Sequence, residues 1–315
     1  MSVIKLMSNY RFRFYENGDE YAIVKLFSTV YGQNITIDWW RWRYNLNPLE
    51  DIQIALAFDG NELVSHYAVS PIVMCYGQKK FKAALSMTTM THPDHEGQGL
   101  FVTLASMLYD RLKIDGYDFV FGFPNQKSHG IFIKKLNFRD IATIPTLVLE
   151  IENTLAIKNK REFCYSSITE VNSLIESKSY KQWASEHSCQ YLKWRFGRES
   201  GNDYKLLSSS NSGTNGSFIV FKEYDERSID IVHIHGSDLS VIALIQELIA
   251  WARLNGKTKF MVWCNIHATL HTALERLGFK FSGQVTYFFC LQLTKNDTVM
   301  RLNNWELNMS LSDVY

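Results

Sequence analysis

The sequence predicts a mixed α/β (α+β) fold, a mainly antiparallel sheet with flanking helices, built as two tandem copies. Three observations predict it. Short apolar runs separated by turns fill residues 53–90, which reads as an antiparallel meander. A strand, a glycine turn, a helix, a strand, a helix and a strand then follow in order up to residue 151. The pattern then restarts at a nearly constant distance along the chain.

The elements read as follows. Residues 11–31 give an entry strand and a helix with Tyr21, Ile23, Val24, Leu26 and Phe27 on its apolar side. An aromatic and basic cluster, Asp38-Trp39-Trp40-Arg41-Trp42-Arg43-Tyr44, comes next. Strands at 53–58 and 63–69 flank Asp59-Gly60-Asn61, a hairpin turn. Strands at 73–76 and 81–90 continue the meander, turning at Gly77. A helix through Leu104, Ala105, Leu108 and Leu112 ends at Gly116, a left-handed C-cap candidate. A buried strand at 118–123, a helix at 128–136 and a strand at 141–151 complete the first copy. In the second copy, 171–175 and 180–185 read as helical. Tyr191 to Phe196 repeats the aromatic and basic cluster. Strands fall at 206–210, 218–222, 229–235 and 259–263, with a polar loop at 211–216 and helices at 239–253 and 268–277. The segment 304–315 reads as a last strand or an arm closing a groove between the copies.

The repeat is quantitative. Gly116 and Gly256 are 140 positions apart, as are Asn125 and Asn265, and Asn137-Phe138 precedes Gly278-Phe279 by 141. At the same offset His235-Gly236-Ser237-Asp238-Leu239 faces His95-Glu96-Gly97-Gln98-Gly99, so the second copy lacks the double-glycine turn. The expected domains are 1–150 and 151–315. Both clusters, at Trp39 to Tyr44 and Tyr191 to Phe196, read as helix anchors, with Arg41, Arg43 and Arg195 snorkelling outward.

Composition bounds the function. A formal charge of +1 gives no footprint for nucleic acid or an acidic membrane. Five scattered cysteines without a CxxC suggest neither a disulfide framework nor a zinc ribbon. No signal-peptide core or membrane-length apolar run occurs, so a soluble cytoplasmic protein is expected. His233 with His235, and His267 with His271, have pair spacings that could take a metal, but no third ligand is in sight and no metal is expected.

The stretch that carries chemistry is Thr89 to Phe101. A strand stops at Pro93, and Gly97-Gln98-Gly99 feeds a helix. A glycine turn at a helix N-terminus presents free N–H groups and the positive dipole end, an anion site suited to phosphate. Asn125, after the next strand, opens the helix that closes on Asn137-Phe138.

These residues resemble the GNAT (Gcn5-related) N-acetyltransferase family, firmly over about residues 50–140 and more loosely in the second half. The resemblance implies the GNAT acyl-CoA N-acyltransferase fold and acetyl-CoA as co-substrate. It implies direct attack of an amine on the thioester. It places the pyrophosphate on the N–H groups from Gly97 through Gln98, Gly99 and Leu100 to Phe101, with Glu96 alongside. It sets Met90 and Thr91 along the pantetheine arm and Asn125, Lys127 and Ser128 at the cofactor from the second helix. His92 and His129 are the candidate bases, with Asn125 on the arm or an ordered water. The sequence departs from the family in three places: Glu96 replaces Arg or Gln, Phe101 replaces a small residue, and Ile133 replaces the Tyr that many relatives use to protonate the thiolate. The Gly97 to Phe101 wording and Phe123-Pro124-Asn125 resemble a subgroup associated with sugar acetylation. The expected acceptor is therefore a small-molecule amine, first an amino sugar or a nucleotide-linked one, with protein amines next. A non-catalytic CoA-binding or partner-binding scaffold is the alternative from another class, and an aminoacyl transferase of the tandem GNAT kind is a third reading.

Overall fold

The computed structural model describes residues 9–151, 164–166, 180–197, 200–208 and 217–313. The helix expected at 171–175 and the loop at 211–216 lie outside them. The chain divides into two units. The first comprises 1–74, 81–140 and 289–300, and the second 75–80, 141–288 and 301–315.

The first unit is built on β1 (Tyr10–Phe14), α1 (Glu20–Tyr31), α2 (Ile37–Tyr44), β2 (Gln53–Asp59), β3 (Glu62–Gly77), β4 (Lys79–Thr91), α3 (Leu100–Ile114), β5 (Phe119–Gly122) and α4 (Gln126–Lys135). β1 to β3 are antiparallel, and Asp59 pairs with Glu62 across the predicted hairpin turn. β4 and β5 are parallel, the arrangement a crossover helix imposes. α3 turns Leu104, Ala105, Leu108 and Leu112 onto the sheet, a single face at helical spacing. Gly116 (φ +76°) stops it, and the Tyr117 N–H returns to the Leu112 carbonyl. The opposite side of the sheet carries α1 and α2 through Ile23, Leu26, Trp40 and Tyr44.

The second unit holds β6 (Arg139–Glu150) from Ile141 onward, then β7 (Cys164–Ser166), β8 (Tyr180–Ser185), α5 (Cys189–Phe196), β9 (Tyr204–Ser208), β10 (Phe218–Glu223), β11 (Ser228–His235), α6 (Asp238–Leu254), β12 (Lys259–Trp263), α7 (Thr269–Arg276) and β13 (Lys280–Gln292). β9, β10 and β11 are antiparallel, β11 and β12 parallel, and β12 and β6 antiparallel. α6 buries Val241, Leu244, Ile245, Leu248 and Ile249 on this sheet.

Four expectations change. Residues 180–185 form a strand, which runs from exposed Lys181 and half-buried Gln182 into buried Trp183, Ala184 and Ser185. β13 follows Phe279 where no strand was expected, and its last four residues pair antiparallel with β5 to finish the first unit. The tail forms 3-10 turns at 302–304 and 309–311 rather than a long strand. Arg43 and Arg195 point inward, each about 4% exposed or less. Arg195 is kept in the core by donating to the carbonyls of Ser310 and Ser312 and to the Tyr204 hydroxyl. No helix among the described residues is long and apolar enough to cross a membrane.

Candidate active site

The site begins where β4 and β5 separate. They are in register for four pairs, Ala83 to Ser86 with Phe119 to Gly122. Gly122 permits this approach, since a Cβ there would lie 3.2 Å from the Ser86 Cβ and 3.3 Å from its carbonyl oxygen. Two residues on, Thr88 takes φ +48°, a left-handed conformation that β-branched residues rarely adopt. It is held there from two sides. The Thr88 carbonyl accepts from His66 Nδ1 at 2.8 Å, and its hydroxyl accepts from Tyr44 at 3.0 Å. Burial drops the His66 pKa to about 4, so the ring is neutral with its proton on the bonded nitrogen. Sequence reasoning missed His66, Tyr44 and Thr88, because the kink arises from partners far apart in the chain.

Past the kink, strand alternation sorts the backbone. The His92 N–H reaches the Val64 carbonyl of β3 at 2.8 Å, so Thr91 and Thr89 turn their peptide groups to the open side. Thr89 accepts there from the Tyr31 hydroxyl at 2.9 Å. Met90 faces the other way: Ser65 Oγ donates to its carbonyl at 2.9 Å and its side chain is buried. Of the expected pair Met90 and Thr91, only Thr91 therefore offers backbone groups to the open side, and Thr89 joins it.

The turn follows. His92 caps a 3-10 turn over Pro93–His95, its Nδ1 accepting from the Asp94 N–H at 3.3 Å. His95 Nδ1 is bonded to the Tyr10 hydroxyl at 2.9 Å, which ties the turn to β1. Glu96 is extended and exposed. Gly97 (φ +74°) and Gly99 (φ +77°) are both left-handed, the reason glycine stands at each. α3 starts at Leu100 with no side chain capping its first turn. The N–H groups of Leu100, Phe101 and Val102 precede the first intrahelical bond, which the Thr103 N–H makes to the Gly99 carbonyl at 3.1 Å. Phe101 sends its ring into the core against Tyr67 and Phe132, at 5.4 and 5.1 Å between ring centroids. Its bulk is thus absorbed by the aromatic cluster.

The second helix N-terminus is capped. Asn125 Oδ1 accepts from the Ser128 N–H at 3.0 Å and from Ser128 Oγ at 3.1 Å. This leaves the Asn125 Nδ2 group as a donor beside an exposed turn. Lys127 is exposed. His129 Nε2 bonds Asp140 Oδ1 at 2.7 Å, which couples α4 to the start of β6. Ile133 packs against the core below α3. A cleft of about 530 Å³ in this unit, lined by Tyr109, Lys113, Lys135, Arg139 and Gln292 among others, shares no residue with the glycine turn.

In the second unit the parallel register is Ser228 to Ile231 with Lys259 to Val262. Phe119 and Lys259 keep the 140-residue offset, but Ala83 and Ser228 differ by 145. His235 therefore ends a strand and does not stand opposite His95. Eight residues, 92–99, connect strand to helix in the first copy, and two, Gly236 and Ser237, in the second. Ser237 caps α6 with its own side chain. The turn is deleted rather than stripped of glycines. His233 and His235 are joined by His187, whose ring centroid lies 4.8 and 4.7 Å from theirs. Burial holds His233 down to about 3, with the neighbouring His235 and Arg195 adding to it. No group of three or more side chains that could hold a metal occurs among the described residues. His271 is buried and its Nε2 lies 3.7 Å from Glu275.

Comparison with known proteins gives the following. Residues 11–139 match the family model described as Acetyltransferase (GNAT) domain. No curated protein sequence matches the chain. Among solved structures, a conserved protein of unknown function from Enterococcus faecalis V583, termed a probable N-acyltransferase, is similar with a TM-score of 0.72 at 10% identity, covering 91% of this chain and 73% of that one. A GCN5-related N-acetyltransferase from Anabaena variabilis is similar with a TM-score of 0.68 at 7% identity, covering 90% and 73%. Saccharomyces cerevisiae N-myristoyltransferase with bound myristoyl-CoA is similar with a TM-score of 0.62 at 11% identity, covering 95% and 85%. At these identities the likeness is one of fold.

Proposed function

Since residues 11–139 belong to the GNAT acetyltransferase domain family, we propose that the chain transfers the acetyl group of acetyl-CoA to an amine. The observation that carries this reading is the uncapped glycine turn placed just beyond the parting of β4 and β5. In it the N–H groups of Gly97, Gln98, Gly99, Leu100 and Phe101 hold the pyrophosphate. An anion at such a helix end gains roughly 0.3–2 kcal/mol. The backbone of Thr91 and Thr89 lines the pantetheine arm, and Asn125 Nδ2 with Ser128 meets it from α4. Glu96 is exposed and free to turn to solvent.

In the reaction the amine nitrogen attacks the thioester carbonyl. The C–N bond forms, the C–S bond breaks, and the thiolate leaves with the electron pair. The amine proton passes to water and the thiolate takes one back. His92 supports no base role while its Nδ1 lone pair receives the Asp94 N–H. His129 is engaged with Asp140. The acceptor is an amino sugar, free or nucleotide-linked, a choice that rests on the wording of Gly97 to Phe101 and Phe123 to Asn125. We assign the cofactor to the copy spanning 1–150 and a degenerate role to 151–315.

Calorimetric titration with acetyl-CoA is the test. Absence of binding at millimolar ligand sinks the proposal. Release of thiol is then followed against amino sugars and other amines. Proven binding with persistent silence points to the scaffold alternative instead.

A further inference from the structure

The second unit keeps the parting of two parallel strands, and something of this chain fills it. β11 and β12 separate after Ile231 and Val262. Counted from the parallel register, Ile234 stands at the place Thr89 holds in the first copy, and Asn265 at the place of Asn125. In the first copy the Thr89 carbonyl accepts from the Tyr31 hydroxyl, and Asn125 caps α4 through Oδ1 with its Nδ2 left beside the exposed turn. In the second copy both are engaged by the segment 302–310.

The contacts are specific. The Ile234 N–H donates to Asn308 Oδ1 at 3.0 Å, and Asn308 Nδ2 donates to the Ile234 carbonyl at 3.4 Å. One carboxamide thus pairs with both peptide groups of a strand residue, as a strand neighbour would. Asn265 Nδ2 donates to the carbonyls of Leu302 at 2.8 Å and Trp305 at 2.9 Å. His233, beside Ile234, bonds Ser310 Oγ at 2.8 Å through Nδ1. Trp305, Leu307, Met309 and Leu311 are all 4% exposed or less, so the segment is core rather than covering.

We propose that residues 302–310 are the built-in occupant of a pantetheine-type slot in the second copy, with the Asn308 carboxamide standing where an amide of the arm would pair. This rests on the reading of Thr89, Thr91 and Asn125 as the arm's partners in the first copy. It accounts for the deleted phosphate turn: a slot filled by the chain itself has no pyrophosphate to hold. The chain accordingly takes one acyl-CoA, and the second slot accepts a pantetheine-class ligand only when the segment is displaced.

Hydrogen–deuterium exchange on the full chain, with pantetheine as probe, tests it. In the unaltered chain, millimolar pantetheine is expected to leave exchange at Ile234 and over 302–312 unchanged. Asn308→Ala removes both bonds to Ile234. It should speed exchange of that amide about tenfold or more while α6 stays protected, and pantetheine should then restore protection. Protection gained at Ile234 in the unaltered chain overturns the inference, since it means an open slot. Equal exchange in both chains, or no restoration in the variant, overturns it as well. Should Asn308→Ala fail to fold, Asn265→Ala removes the contacts to Leu302 and Trp305 together with the bond that Asn265 Oδ1 accepts from the His267 N–H. Faster exchange over 302–305 is then expected, and unchanged exchange there is the overturning result. These readouts lie in the second unit. Failure of the acetyltransferase reading shows separately, as absent protection over Thr89 to Gly99 when acetyl-CoA is added.

Discussion

Gly97 isolates the backbone geometry of the glycine turn from every other effect. Its φ is +74°, and a Cβ built on it meets no atom within 4 Å. Replacement by alanine therefore costs no clash, only the left-handed conformation, about 1–2 kcal/mol for an L-residue. The unfolded chain loses freedom on the same change, which returns about 0.4–1 kcal/mol. The net loss of stability is at most about 1.6 kcal/mol, a small shift in melting temperature for a chain of this length. Binding responds more. A turn that relaxes out of the left-handed region rotates its N–H groups off the phosphate, and the helix-end interaction of up to about 2 kcal/mol is lost, near 30-fold in affinity. Asparagine tolerates this region better than alanine, and valine far worse. The expected order of acetyl-CoA affinity by calorimetry is Gly, then Gly97→Asn, then Gly97→Ala, then Gly97→Val, with melting temperatures close together. Alanine and glycine chains that bind equally well would refute the reasoning, because the turn would then not be the cradle.

Three further predictions concern single side chains. Asn125→Ala removes the α4 cap and should cost about 1 kcal/mol in urea unfolding; Asn125→Asp keeps the cap but replaces the Nδ2 donor, so stability should hold while acetyl-CoA affinity falls. Asp230 is buried with neither carboxylate oxygen bonded, and burial pushes its pKa up to about 6. The folded chain therefore binds the extra proton between about pH 4 and 6, and stability is lost as pH rises through that window. Asp230→Asn should raise the melting temperature at pH 7 by the equivalent of up to about 3 kcal/mol and change it little at pH 4. For His66 the sign is opposite. Its folded pKa of about 4 lies below the unfolded value near 6.5, so the unfolded chain takes the proton first as pH falls. Stability should drop from about pH 6.5 toward pH 4, by up to about 3 kcal/mol from this group. His66→Gln should flatten part of that slope in urea midpoints, and an unchanged slope would contradict the assignment.

The legible parts of the chain are those where a local conformation admits few residue types. Gly97, Gly99 and Gly116 stand where φ is positive, and Asn125 stands where a helix needs an N-cap acceptor. Apolar spacing alone placed α3 and α6, because a helix buries one face whatever it packs against. The repeat was legible through these same markers. Long-range pairing decided the rest. Thr88 is kinked by His66 and Tyr44, partners 22 and 44 positions away. The offset between copies changed from 140 to 145 inside the sheet, so a gapless alignment put His235 opposite the wrong residue. Arg43 and Arg195 were expected at the surface, since no sequence pattern announces the carbonyls that receive Arg195. The residues that engage Ile234 and Asn265 lie up to 74 positions away in a segment with no strand signal. What the sequence determined by itself is the glycine turn and the helix it feeds, because both depend on neighbours in the chain. Only the tertiary structure decided which strand edges stay open, because that depends on what the rest of the chain brings against them.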